Sequence, residues 1–280
     1  MDSTTIHSTE YLLGHDDPEL ARLERQAGVL TTATRTILTA AGLQPGMRVL
    51  DLGTGAGDVA MLAGEIVGPS GSVVGVDLAD DALRRAAQRV NARGLPNVTL
   101  VRADVADASL GTFDAVVGRL VLLYAPDPAA VLRHHARHLA PGGLIVAMEY
   151  DMHVPGSAPA TPLGEQVLSW VRAAFEGCGL DASLGARLPT VFAEAGLPVL
   201  DVLAVQPYLP PGEGGWYPAA TVHTLMPHLE RLGIASAEEI GLDTLAERID
   251  AECSQAHAWL KPPTLVGAWS RMPPSRVALG

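Results

Sequence analysis

The sequence predicts an α/β fold in which helices cover both faces of a mostly parallel sheet. Short, almost uninterrupted apolar runs alternate with stretches of helical spacing between residues 41 and 150. Strands that are buried on both faces have this continuous apolar character, and helices are the connections that parallel strands require. The predicted strands are residues 48–52, 72–77, 98–102, 113–118 and 144–148, and the predicted helices are residues 59–66, 80–93 and 128–139.

The alternation of strands and helices ends after Glu149. Residues 154–162 are rich in Pro, Gly, Ser and Ala, which is typical of a loop. Further helices are predicted at residues 18–40, 163–175, 188–195, 218–232 and 237–259, and further strands at residues 199–205 and 264–269. We expect one domain over residues 1–280, made of an N-terminal cap helix (1–40), a core (41–150) and a segment of cap helices and closing strands (151–280).

The composition narrows the class of protein. The chain has 280 residues, of which 48% are hydrophobic, and its net charge is −12. Proteins that bind nucleic acids carry a basic surface, so we expect no nucleic-acid partner. The first ten residues lack the apolar stretch of a signal peptide, and no apolar run reaches the length of a membrane span. The isolated Cys178 and Cys253 suit a reducing compartment, so we expect a cytoplasmic protein.

A glycine-rich loop, Asp51-Leu52-Gly53-Thr54-Gly55-Ala56-Gly57, separates the first predicted strand from the helix that follows it. Glycines let a ligand approach the backbone, and the N–H groups at a helix start attract an acceptor. The spacing is G-x-G-x-G, not the G-x-G-x-x-G that packs a dinucleotide pyrophosphate, and Asp77 ends the next strand, where ribose hydroxyls bind. The loop therefore favours a nucleoside without a pyrophosphate, and a nicotinamide dehydrogenase is the weaker alternative.

Five segments in order resemble the motifs of class I S-adenosylmethionine-dependent methyltransferases, of the small-molecule, quinone-methyltransferase kind. They are the glycine loop with its strand, Val76-Asp77, Ala103-Asp104-Val105, Phe113-Asp114-Ala115-Val116-Val117-Gly118-Arg119 and Leu139-Ala140-Pro141-Gly142-Gly143. The resemblance covers residues 48–150. It implies a Rossmann-like fold, S-adenosylmethionine as the cofactor and methyl transfer as the reaction.

The resemblance also implies which residues bind the cofactor. These are Tyr11, Asp51, Gly53, Gly55, Gly57, Asp77, Leu78, Asp104, Val105 and Arg119. The three glycines would lie against the methionine portion, while Asp51 would orient the loop or meet the methionine ammonium group.

At the nucleoside end, Asp77 would accept hydrogen bonds from the ribose hydroxyls and Leu78 would lie against the adenine. Asp104 would accept from the adenine amino group, and Val105 would offer its backbone N–H. Tyr11 would close over the methionine end. The alternatives are a helix-start charge for Asp77, a turn residue for Asp104 and an ordinary surface residue for Tyr11.

Catalytic residues are harder to predict, because methyl transfer needs alignment of the reactants and needs a base only when the acceptor must lose a proton. The candidates follow the fourth and fifth strands, since ligands bind at the carboxyl ends of parallel strands. Arg119 could hold an anionic substrate or form a structural ion pair. We expect Glu149 to face the pocket, and His153 is either a base or an exposed loop residue.

The remaining sequence features do not identify the acceptor or the exact reaction. His134 and His138 are four residues apart, but without further ligands we expect no metal and an exposed helix face. Trp216-Tyr217 could form a stacking wall or simply pack. We expect a small-molecule acceptor methylated at carbon or oxygen. The alternatives are a cyclase or decarboxylase that uses the same cofactor and, less favoured, a non-catalytic cofactor-binding protein. A homodimer is also left open.

Overall fold

The computed structural model of the protein describes residues 17–106 and 108–274. The strands are β1 (Arg48–Leu52), β2 (Ser72–Asp77), β3 (Val98–Arg102), β4 (Phe113–Arg119), β5 (Leu139–Asp151), β6 (Ser157–Ala158), β7 (Asp201–Val205), β8 (Trp259–Leu260) and β9 (Thr264–Arg271). Within the described residues, seven of these strands form one sheet in the order β3-β2-β1-β4-β5-β9-β7. The first five strands of this order pair in parallel, whereas β9 pairs antiparallel with both β5 and β7. The predicted α/β fold with a mostly parallel sheet is confirmed.

Helices connect the strands and cover the sheet. They are α1 (Asp17–Ala41), α2 (Asp58–Val67), α3 (Asp80–Ala92), α4 (Pro128–Ala136), α5 (Pro162–Gly177), α6 (Leu184–Glu194), α7 (Trp216–Arg231), α8 (Ala237–Ile240) and α9 (Leu245–Gln255). Helices α1 and α2, together with a cap made of α5, α7 and α9, contribute to the core on one face of the sheet. Helices α4 and α6 cover the other face. The predicted helices on both faces are confirmed.

The helical material predicted over residues 237–259 is divided at Gly241 and ends at Gln255. Helix α8 begins with a capping box at Ser236 and ends at Gly241, which has a φ of 62°. Glycine adopts this left-handed conformation at little cost, so it commonly terminates a helix. A short 3₁₀ turn follows, then α9, and residues 259–260 form β8.

The alternation of side chains along β5 decides what reaches each side of the sheet. Met148 and Tyr150 are buried on the face that carries α1, α2 and the cap. Ala147 is buried on the opposite face, with α4 and α6. Successive residues of a strand point to opposite faces, so Glu149 also lies on the α4 and α6 side.

Candidate active site

The glycine loop runs from the end of β1 to the start of α2. Its glycines all have positive φ, with 62° at Gly53, 52° at Gly55 and 84° at Gly57. A Cβ on Gly53 would collide with the Val121 side chain, and one on Gly57 would lie 3.1 Å from the Cβ of Ala86. Packing therefore excludes a side chain at Gly53 and leaves little room for one at Gly57. A Cβ on Gly55 would meet nothing within 4 Å, so Gly55 is the position that borders open space.

Asp77 fixes the glycine loop to the end of β2. Its Oδ2 accepts a hydrogen bond from the N–H of Gly55 at 2.8 Å, and its Oδ1 accepts one from the N–H of Ala79 at 3.0 Å. An ionised carboxylate has about four lone-pair sites, so capacity remains for ribose hydroxyls. The neighbouring Leu78 is 54% exposed and offers apolar surface beside this carboxylate.

The loop after β3 is supported from α4 by His135. Asp104 is exposed, and its Oδ1 accepts a hydrogen bond from the N–H of Ala106 at 2.8 Å. The His135 Nε2 donates to the carbonyl of Val105 at 2.7 Å. Burial lowers the pKa of His135 to about 4, so this imidazole is neutral at pH 7. His135 is completely buried, and its neighbours His134 and His138, for which an exposed helix face was expected, are half-buried.

Asp51 is a buried carboxyl group at the end of β1. Its Oδ2 accepts a hydrogen bond from the Thr54 hydroxyl at 2.7 Å. Its Oδ1 is also buried and has no hydrogen-bond partner among the described residues. Burial raises the pKa of Asp51 to about 7, although the Thr54 hydrogen bond and the positive charge of Arg119 act in the opposite direction. A cation at Oδ1 would favour the ionised form.

Arg119 lies beside Asp51 on the same face of the sheet. In the register of β1 and β4, Asp51 pairs with Val117, and Arg119 follows two residues later. The Nη1 of Arg119 donates to the hydroxyl of Thr34 on α1 at 2.9 Å. The N-terminal helix therefore contributes to this end of the site through the fully buried Thr34, which no sequence motif identified.

Glu149 was expected to face the pocket, but it is not among the residues that line the apolar cavity described below. Its Oε1 accepts hydrogen bonds from the N–H groups of Val121 and Leu122, at 3.0 and 2.7 Å, and so caps the 3₁₀ turn Leu122–Tyr124 that follows β4. Burial raises the pKa of Glu149 to about 8, although these backbone N–H groups lower it. The contacts give Glu149 a structural position, and its catalytic role stays a prediction.

His153 lies at the surface. Its backbone N–H donates to Asp151 Oδ1 at 2.9 Å, and its ring nitrogens are 3.9 Å from Asp151 and 3.8 Å from Glu176. About half of its side chain is exposed. Its predicted role as a base is untested, and it does not contribute to the cavity described next. Tyr11 lies outside the described residues.

A largely apolar cavity lies between the sheet and the cap, with about 900 Å³ of empty space including its open mouth. Its lining residues are Leu120, Leu123, Tyr124, Tyr150, Met152, Gly156, Gly164, Val167, Leu168, Val171, Phe175, Tyr217, Pro218, Thr221, Ile249, Leu260, Lys261, Pro262 and Pro263. The hydroxyl groups of Tyr150 and Tyr217 form a buried hydrogen bond of 2.9 Å. Tyr217 thus lines the cavity and carries a polar contact, whereas Trp216 is not among the described lining residues, and the choice between a stacking wall and simple packing for this pair is untested.

Leu120 joins the two parts of the site. It follows Arg119 directly and lines the cavity, and its φ of 56° is in the left-handed region. This conformation costs a residue other than glycine about 1–3 kcal/mol, and it is concentrated at functional sites. The chain thus turns at Leu120 from the charged side chains of Asp51 and Arg119 to the apolar cavity.

The part of the chain that the structure describes holds neither a metal-binding cluster nor a membrane-spanning helix. No three His, Cys, Asp or Glu side chains in residues 17–106 and 108–274 are grouped so that they could hold a metal ion. The His134 Nε2 instead donates to the carbonyl of Ala108 at 3.2 Å. None of the helices described has the length and apolar character needed to span a membrane.

Comparison with known proteins identifies the family. A family model described as a methyltransferase domain matches residues 43–196, more than half of the chain. The chain belongs to this family. The matched segment of the chain contains Asp51, Asp77, Asp104 and Arg119, whereas Tyr217 and the cavity residues after it lie beyond its end.

Two relatives show how far the similarity extends. The chain is 32% identical to Nocamycin O-methyltransferase of Saccharothrix syringae, over 64% of this chain and 59% of the relative. It is 37% identical to Demethylmenaquinone methyltransferase of Geobacillus kaustophilus, over 38% of this chain and 47% of the relative. The chain therefore spans about half the length of the curated relatives it matches.

Solved structures share the Rossmann-like fold. A SAM dependent methyltransferase from Aquifex aeolicus matches with a TM-score of 0.52 and 22% identity, over 67% of this chain and 92% of that one. The [4+2]-cyclase SpnF matches with a TM-score of 0.55 and 19% identity, over 88% of this chain and 81% of that one. At these identities the similarity shows the fold alone.

Proposed function

We propose that this methyltransferase transfers a methyl group from S-adenosylmethionine to a small-molecule acceptor held in the cap cavity. The observation that carries the proposal is the buried Asp51 carboxyl group, whose Oδ1 has no partner among the described residues, beside a loop that borders open space at Gly55. A buried polar atom without a partner is costly, and a bound ammonium group would remove that cost. The amino-acid end of the cofactor carries such a group.

Other residues fit the remaining parts of this cofactor. Arg119 beside Asp51 supplies the positive charge that the cofactor's carboxylate needs, so the two side chains match a zwitterion. Asp77 would accept from the ribose hydroxyls, and the exposed Leu78 would pack on the adenine. Asp104 would accept from the adenine amino group.

The chain contributes alignment and the exclusion of water. When bound, the cofactor supplies a methyl group attached to a positively charged sulfur, which is the electrophile of the reaction. The cavity wall at Leu120 continues directly from Arg119, so an acceptor in the cavity lies next to the methionine pocket. Helices α5, α7 and α9 cover the cavity and limit the access of water to the reacting atoms.

Methyl transfer is favoured over cyclisation or decarboxylation with the same cofactor. The relatives that are similar in sequence are named methyltransferases, whereas the cyclase shares only the fold, and a fold does not determine a reaction. Calorimetric titration should show binding of S-adenosylmethionine, with NAD as the control ligand. Transfer of a labelled methyl group to an acceptor then separates methylation from the alternatives. Failure to bind S-adenosylmethionine would contradict the proposal.

We further propose a cytoplasmic protein whose acceptor is not a nucleic acid. The net charge of −12 argues against a nucleic acid as the acceptor. The absence of a disulfide at Cys178 and Cys253 agrees with a reducing compartment such as the cytoplasm. A homodimer is proposed without a defined interface. Light scattering coupled to size-exclusion chromatography measures the mass directly, and a monomer mass of 29.2 kDa would contradict dimerisation.

A further inference from the structure

In the part of the chain that the structure describes, the cavity wall contains hydrogen-bond donors but no carboxylate or imidazole. The polar side chains among its lining residues are Tyr124, Tyr150, Tyr217, Thr221 and Lys261. None of the lining residues in the described part of the chain is Asp, Glu or His. Glu149 caps a turn on the opposite face of the sheet, and His153 lies at the surface. Among the residues that the structure describes, none therefore offers a carboxylate or an imidazole to take the proton of an acceptor in this cavity.

We propose that the acceptor is an apolar molecule bound as an oxyanion, such as a carboxylate, an enolate or a phenolate, and methylated on that oxygen. The inference rests on the proposed function and specifies the substrate class of the same site. An acceptor that is already ionised needs no base. The lack of a base in the wall then agrees with the chemistry of the reaction.

The Tyr150 and Tyr217 hydroxyl groups are the donors inside the cavity. Their side chains are almost fully buried, and the two oxygens are 2.9 Å apart. A hydroxyl group that takes part in one hydrogen bond polarises its partner, which makes the pair a better donor to an anion. In an apolar cavity a hydrogen bond to a charged oxygen is about twice as strong as one to a neutral oxygen.

Lys261 supplies a positive charge at the mouth of the cavity. It is the single lysine of the sequence, and it lies in the cavity wall. Its Nζ is 5.9 Å from the ring centroid of Tyr208, a side chain that is half exposed, so the ammonium group lies near solvent. The net charge of −12 opposes anion binding in general. Preference for an anion must therefore come from local groups such as this one.

The reaction balances without a proton. A lone pair of the acceptor oxygen forms the bond to the methyl carbon, the carbon–sulfur bond breaks, and its electron pair stays on sulfur. An oxyanion and a sulfonium cation thereby become two uncharged groups. Loss of charge in the transition state is favoured in surroundings of low dielectric constant, which the apolar residues of the wall provide.

The test compares two probes of nearly the same shape, 2-naphthoate and 2-naphthamide, by calorimetry at pH 7.5 without cofactor. We expect naphthoate to bind about tenfold more tightly. The Lys261→Met variant should reduce this preference about fivefold, whereas Lys261→Arg keeps it. Arg93→Met is the matched control, because it removes one positive charge from an exposed residue at the end of α3. It should leave the preference unchanged.

Equal affinity for the two probes, or binding of neither, would overturn the proposal. An equal effect of Lys261→Met and Arg93→Met would also overturn it, because the preference would then reflect overall charge. The comparison uses no cofactor, so it does not depend on whether the chain binds S-adenosylmethionine. Failure of the cofactor titration with a normal probe preference would contradict the proposed function alone.

Discussion

Asp51 should make the binding of S-adenosylhomocysteine depend on pH. Burial raises the pKa of this carboxyl group to about 7, so about half of the molecules carry its proton at pH 7. A ligand ammonium beside the unpartnered Oδ1 favours the ionised carboxylate, so binding releases the proton. If only the ionised form binds, the affinity falls about tenfold from pH 8 to pH 6, because the ionised fraction falls from about nine-tenths to one-tenth.

Calorimetry measures both the affinity and the number of protons released on binding. Titrations at pH 7 in two buffers of different ionisation enthalpy should give a release of about half a proton per ligand bound. Asp51→Asn keeps the side-chain shape and an acceptor for Thr54, so it serves as the reference. It should release no proton from this position and should bind at least about tenfold more weakly at pH 8. The ligand's own ionisation contributes equally to both proteins. The same pH dependence in both would refute the reasoning.

Three further outcomes are expected. Gly55→Ala and Gly94→Ala should each cost about 1 kcal/mol of unfolding free energy, because both positions have positive φ and open space, but only Gly55→Ala should weaken cofactor binding in calorimetry. Arg119→Met removes a charge that lowers the pKa of Asp51, so the midpoint of the pH-dependent binding should move to higher pH, and an unchanged midpoint would contradict the placement. Burial raises the pKa of Glu149 from 4.5 to about 8, so its contribution to stability is present below about pH 4.5 and lost as the pH rises through 8. Glu149→Gln should therefore flatten the fall in unfolding free energy between pH 5 and 8 in urea denaturation, and parallel curves would argue against a buried titrating group.

The sequence predicted the sheet and the donor side of the site because both depend on local patterns. Continuous apolar runs indicated the parallel strands, and the glycine spacing indicated the loop. Even there, the structure separates two reasons for glycine. Gly53 is required by contact with Val121, which is distant in sequence, whereas Gly55 borders open space.

The direction of Glu149 could not be predicted from the sequence. Strand β5 is buried on both faces, so its apolar run has no alternation that would show which residues face the cap. A sequence pattern with period two fixes the face only when one face is polar. The partners of Glu149, the N–H groups of Val121 and Leu122, are 28 and 27 residues away in sequence and belong to a turn without a motif.

The cavity could not be predicted from the sequence, because its wall combines residues that are distant along the chain. Its wall combines Tyr150 of β5 with Tyr217 of α7, 67 residues apart, and with Lys261 after β8. None of these residue types is diagnostic by itself, and their proximity depends on how the cap packs on the sheet. The sequence shows that Lys261 is the single lysine of the chain, but it does not show that this residue lies in the cavity wall.

The wall of the cavity also has an evolutionary consequence. Asp51, Gly55, Asp77, Asp104 and Arg119, which are proposed to bind the methyl donor, lie within the segment matched by the family, 43–196, whereas Tyr217, Thr221 and Lys261 lie after it. Substitutions in the later segment can change which acceptor fits without altering Asp51, Gly55 or Asp77. Under the proposed function, the acceptor preference can therefore diverge between relatives while the donor-binding residues are retained.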